Sequence, residues 1–161
     1  MTDAPRRFWI GVVSREHIHV GVKGGFIQLG HGKKAPLQRL RASDGLAMYS
    51  PRTAYPDGEP LQAFTAIGVV TTGRIYQVEM TEAFKPYRVD VTFFDANEAP
   101  IKPLIDALSF IKNKTQWGSA FPFGQIKIPA EDFKPIAKAM GVVAKFDGIP
   151  VPRRIRQRPD D

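Results

Sequence analysis

Gln62-Ala63-Phe64-Thr65-Ala66-Ile67-Gly68-Val69-Val70-Thr71-Thr72-Gly73-Arg74-Ile75-Tyr76-Gln77-Val78-Glu79-Met80 is the stretch that decides the fold class. Residues 62–70 hold Phe, Ile and two Val with no charge and no proline, which reads as a strong strand. Thr72-Gly73 reads as a turn and Ile75–Met80 as the returning arm of a hairpin. Downstream, Tyr87, Val89, Val91 and Phe93 alternate with Arg88, Asp90 and Thr92, the pattern of a half-buried strand. Upstream, Phe8–Val13 and Leu46–Tyr49 read as strands, and Phe26–Leu29 as a short one broken by Gly30-His31-Gly32. Gly124–Ile128 is the last strand. Helical patterns are fewer. Arg15–Lys23 suits a short helix or turn. Glu98–Leu108 carries Ile101, Leu104, Ile105 and Leu108 at helical spacing, and Pro129–Met140 ends at Gly141. Pro51–Pro60 reads as a loop. Strands dominate without βαβ alternation, so the predicted class is α+β. The predicted architecture is a mixed, mostly antiparallel β-barrel of about six strands with short helices around it.

Composition bounds the rest. The 161 residues suit one domain, and a hydrophobic share of 43% supplies a core. The expected organisation is a disordered segment over 1–7, a domain over 8–141 and a basic Arg/Pro-rich extension over 142–161. Without cysteine there are no disulfides, thiolate metal sites or cysteine nucleophiles. No apolar run reaches the roughly 20 residues of a membrane span and no secretory leader is visible, so a cytoplasmic location is expected. The formal charge is +7, which favours an anionic partner, DNA or RNA above all. Setting aside Arg6, Arg7, Arg153, Arg154, Arg156 and Arg158 with Asp3, Asp160 and Asp161 leaves 17 basic against 13 acidic residues, so the basicity is not confined to the ends.

The residues able to carry chemistry gather between Trp9 and Pro51, with all three histidines and only Glu16 and Asp44 as acids. Ser14, Arg15 and His17 sit where the first strand ends, either lining a barrel mouth or capping a helix. Gln28, His31, Lys33 and Lys34 surround a glycine bend. There backbone amides could approach a ligand and lysines could meet phosphates; the alternative is a solvated loop. Tyr49 and Ser50 close a strand beside them, Tyr49 as a stacking wall or as a rim residue of the core. Trp117, after Lys112-Asn113-Lys114, is a stacking platform or a lid on the core. His17, His19 and His31 lack the carboxylates a metal site would add, and no metal or cofactor is implied. Ser14 with His17 lacks the glycine-flanked elbow and orienting acid of a nucleophilic site.

Several ordered motifs resemble the EVE-domain family, the UPF0310 branch of the PUA-like superfamily. They are Trp9-Ile10-Gly11-Val12-Val13-Ser14-Arg15-Glu16-His17, His31-Gly32-Lys33-Lys34-Ala35-Pro36-Leu37-Gln38-Arg39, Tyr49-Ser50-Pro51, Leu61–Gly68, Tyr76-Gln77-Val78, Phe84-Lys85-Pro86, Ala99-Pro100-Ile101 and Leu108-Ser109-Phe110-Ile111. They extend from Phe8 to Met140. The resemblance implies a PUA-like barrel, related to the YTH readers of methylated adenine, that holds a modified nucleobase at the barrel mouth and is not an enzyme. On that footing Ser14, Arg15, His17, Phe26, Gln28, His31, Tyr49, Ser50 and Trp117 would form the base pocket. Lys33, Lys34, Arg39 and Lys112 would meet the phosphates. The alternatives are a small hydrolase or nucleotide-processing enzyme using Ser14, His17 and His31, and a basic protein-interaction module.

Overall fold

From Pro60 to Gln77 the chain forms one strand of 18 residues, β4, where the sequence suggests the two arms of a hairpin. Gly73 does take a positive φ of 73°, but the chain continues past it in the same direction. Pairing with the following strand, β5 (Tyr87–Phe93), jumps from Val70↔Val91 to Ile75↔Val89. Residues 71–74 thus bulge out opposite Asp90 alone, and the turn signal is absorbed as a bulge. These relations come from a computed structural model that describes residues 6–121 and 124–147.

Beside β4 lie β3 (Gly45–Arg52) and β5, both antiparallel to it. β1 (Phe8–Val12) pairs in parallel with β3 and antiparallel with β7 (Gly124–Ile128). The order is β2-β5-β4-β3-β1-β7, with β2 at Phe26–Ile27 and β6 (Ala99–Pro100) adding to β4. The expected barrel is therefore corrected to an open, mostly antiparallel sheet of seven strands: among the described residues no ladder joins β2 to β7. β2 is cut to two residues by positive φ at Gly30, His31 and Gly32 just beyond it, too short to complete a closing ladder.

Period-two alternation divides the core into two clusters, one on each face. Ile10, Ala47, Tyr49, Phe64 and Ile67 pack on one face with Phe133 and Ile136 of α2 (Ala130–Ala139). Trp9, Leu46, Met48, Ala66 and Val70 pack on the other with Ile18 of α1 (Arg15–Gly24). Ser14 caps α1 by accepting from the His17 amide, and Gly25, at φ 74°, closes it.

The helix expected over Glu98–Leu108 is β6 followed by a 3₁₀ turn at Lys102–Ala107. Pro103 lacks the amide a longer α-helix would need, although Ile101, Ile105 and Leu108 are buried as their spacing suggested. Val142, and Phe146 of α3 (Val143–Asp147), are core residues. The arginines at 153, 154, 156 and 158 lie outside the described residues. At the other end, Arg6 and Arg7 make side-chain bonds. Arg6 donates to the Ser43 carbonyl, and Arg7 pairs with the buried Asp44 at 2.7 Å.

Candidate functional site

β1 delivers Val12, Val13 and Ser14 to the rim of a cavity of about 160 Å³. The first turn of α1 adds His17, and the segment after β2 adds Gln28, Gly30 and His31. Pro51, Tyr55 and Gly124 complete the lining. The lining mixes polar residues (Ser14, His17, Gln28, His31) with apolar ones (Val12, Val13, Pro51). An apolar cavity of about 150 Å³ is large enough for benzene, so this space suits one aromatic ring with substituents.

The polar groups are held in fixed states. Burial pushes His17 below the ordinary imidazole range, and the nearby His31 and Arg88 push the same way. A hydrogen bond between the His17 ring and the Gln28 backbone opposes them. A neutral ring that donates to a carbonyl keeps its other nitrogen as an acceptor. Ser14 Oγ accepts from the His17 amide at 3.2 Å, which leaves its hydroxyl proton able to donate. Gln28 is 5% exposed, and its Oε1 accepts from Arg88 Nε at 2.6 Å. His31 takes φ 60° between Gly30 and Gly32, and its ring meets that of Tyr55 at 5.4 Å between centroids. Tyr55 is 68% exposed, so this pair forms an aromatic edge open to solvent.

Of the residues picked from sequence, Ser14, His17, Gln28 and His31 come together here. The others stand elsewhere. Arg15 turns to Glu98, its Nε donating to that carboxylate at 3.0 Å. Phe26 is buried and lies beneath the Arg88 guanidinium, 3.7 Å from the ring centroid. Tyr49 is a core residue, stacked on Phe121 at 4.3 Å, and burial pushes its hydroxyl up to about 12. Ser50 is fully buried, its hydroxyl bonded to that of Thr65 at 2.7 Å. Trp117 packs against the Tyr49 cluster, a lid on the core. Lys33 and Lys34 are exposed just beyond His31-Gly32, and Lys34 Nζ sits 5.8 Å over the Tyr87 ring. Arg39 is exposed at the end of a 3₁₀ turn (Ala35–Arg39), and Lys112 is exposed in the loop after Ile111.

His17 and His19 do not share a face, because the segment is helical. His19 is exposed and points toward Glu98, 3.9 Å away. Among the described residues no three His, Asp or Glu side chains cluster as metal ligands would. No described helix is long and apolar enough to cross a membrane.

Sequence reading missed Tyr55 and Arg88. Tyr55 lies in a Pro/Gly-rich loop with no periodicity.

Comparison with known proteins shows the family and supports the fold. A family model described as the EVE domain matches residues 7–139. A UPF0310 protein of Mycobacterium avium is 50% identical over 132 residues, covering 82% of this chain and 96% of that protein. The UPF0310 protein YdcG of Bacillus subtilis is 45% identical over 135 residues, covering 84% and 92%. Among solved structures, Rpa0253 from Rhodopseudomonas palustris is similar with a TM-score of 0.53 at 14% identity, covering 85% of this chain and 94% of that one. A hypothetical protein from Leishmania major gives 0.50 at 12%, covering 83% and 94%. At such identities the structural likeness concerns the fold alone.

Proposed function

The chain belongs to the EVE-domain family, and from that premise we propose that it is a nucleic-acid-binding reader holding a nucleobase, a modified one such as a methylated base, in the cavity at the end of β1. One observation carries this reading. A ring-sized space of about 160 Å³ is lined by both hydrogen-bonding and apolar residues, and two exposed lysines follow its lining residue His31 in the chain. A base offers a polar edge, a flat apolar face and a phosphate tether, and these match the three parts.

In this reading Lys33 and Lys34 meet the backbone phosphates, giving affinity without sequence preference that falls with salt. A base from a single strand, or flipped from a duplex, enters the cavity. Ser14, His17 and Gln28 take its polar edge. The His31–Tyr55 edge supplies the stacking that the sequence assigned to Tyr49 and Trp117. A methyl group against Val12, Val13 or Pro51 adds only about 1 kcal/mol, so discrimination rests mainly on hydrogen bonds. Ser14 is committed to capping α1, which favours a binding role over a nucleophilic one.

Calorimetric titration tests the reading. The ligands are short single-stranded and duplex DNA and RNA, with and without methylated bases, at two salt concentrations. Tighter binding of one modified species, lost in His17→Ala, is the expected result. Binding equal for all oligonucleotides and sensitive only to salt would overturn it.

A further inference from the structure

Gln28 is the most informative polar group in the cavity because only half of its carboxamide is committed. The pairing Phe26↔Asp90 and Ile27↔Val89 continues to place Gln28 opposite Arg88. Arg88 Nε donates to Gln28 Oε1 at 2.6 Å, and the guanidinium rests 3.7 Å over the Phe26 ring, which fixes its plane. A guanidinium has five N–H donors and no acceptor. The oxygen of Gln28 must therefore face Arg88, and the NH₂ must face away from it. Gln28 is 5% exposed and lines the cavity, and its NH₂ has no hydrogen-bond partner among the described residues.

We propose that Arg88 is a positioning residue that locks the Gln28 carboxamide with its NH₂ toward the cavity, so that the site selects a base by the order of hydrogen-bonding groups along its edge. This deepens the base-holding reading and rests on it. A free glutamine can turn over and offer either a donor or an acceptor; a locked one offers only the donor. Base edges come in two orders. Uridine and inosine place a carbonyl beside a ring N–H, and cytidine and adenosine place an amino group beside a bare ring nitrogen. Swapping one for the other exchanges donor and acceptor at the atom that meets Gln28. One order is satisfied, while the other sets two donors against each other in a site that is 5% exposed.

The experiment measures binding of single nucleosides to the full chain by calorimetry. The probes are cytidine and uridine, each with and without a 5-methyl group, and adenosine and inosine. The variants are Arg88→Met and Gln28→Glu. Wild type should prefer uridine over cytidine and inosine over adenosine by about tenfold or more, and the opposite preference overturns the lock. Arg88→Met should shrink the preference below about threefold, because the freed carboxamide can serve both orders. Gln28→Glu should reverse it, since the carboxylate stays paired with Arg88 and presents only acceptors. Gln28→Glu keeps Arg88, so its reversal can be read even where Arg88→Met fails to fold. A preference unchanged in both variants overturns the lock, as does nucleoside binding with no preference in wild type; the base-holding reading survives both results. Failure of wild type to bind any nucleoside overturns both.

Discussion

Asp44 and Gln28 are both buried polar groups next to strands of one sheet, and they are treated in opposite ways. Asp44 is saturated. It accepts from Arg7 Nη2 at 2.7 Å, Trp9 Nε1 at 2.9 Å and the Arg41 amide at 2.9 Å. The Gln28 side chain has one bond, to Arg88, and Gln28 lines a cavity. Buried polar groups are costly unless paired, so full pairing marks a group that holds structure. Spare capacity beside a cavity marks a group kept for a ligand. Asp132 belongs with Asp44: it takes the Ser109 amide, the Ser109 hydroxyl and the Phe110 amide, and so fastens α2 to the segment after Leu108.

The sharpest way to break this comparison is Asp44→Ala. It removes the acceptor shared by Arg7, the Trp9 indole and the Arg41 amide, and should cost about 3–5 kcal/mol in a urea titration. A loss under about 1 kcal/mol would show that the saturated site is not structural. Gln28→Ala should do the reverse, costing about 1 kcal/mol of stability while weakening nucleoside binding at least about tenfold. Equal effects on stability from the two variants would erase the distinction.

Acid sharpens the same contrast. His17 titrates below the 6.5 of an unfolded histidine, chiefly because it is buried. The unfolded chain therefore takes the proton first. Stability from neutral His17 is fully present above pH 6.5 and is lost as pH falls from there through the lowered folded value. The urea midpoint of wild type should fall between pH 7.5 and 5.5 by more than that of His17→Gln. Nucleoside affinity should fall over the same window, as the ring loses its acceptor. Arg15→Ala should matter least. Its ion pair with Glu98 is about a third exposed on each side, so less than about 0.5 kcal/mol is expected and no change in affinity.

Much of the fold is legible in local pattern. The alternation through Tyr87–Phe93, the cap at Ser14 and the stop at Gly141 each follow from neighbours in sequence. What failed depended on distant partners. Thr72-Gly73 is chemically a turn, and only the ladder with β5 turns it into a bulge. Pro100 and Pro103 flank apolar spacing that fits a helix, yet Ala99 and Pro100 are claimed by β4. The cavity was half legible. Ser14, His17, Gln28 and His31 stand out as polar residues at strand ends, and the geometry unites them. Tyr49 and Trp117 mislead because an aromatic at a strand end packs inward as readily as it stacks on a ligand. Tyr55 and Arg88 reach the site from segments far along the chain, which no local pattern reports.

The position of β4 between β3 and β5 has a consequence for amide hydrogen exchange. Amides at Ile67–Val70 lie in the middle of the sheet beneath both core clusters and should exchange only when the whole domain opens. β2 is a two-residue strand at the rim, bonded to β5 alone. Its amides should exchange through small local openings that leave β4 intact. Gln28 follows β2 directly, so the donor that would read a ligand rides on the most easily opened edge of the sheet. A ligand held there should slow exchange at Phe26–Leu29 far more than at Ile67–Val70.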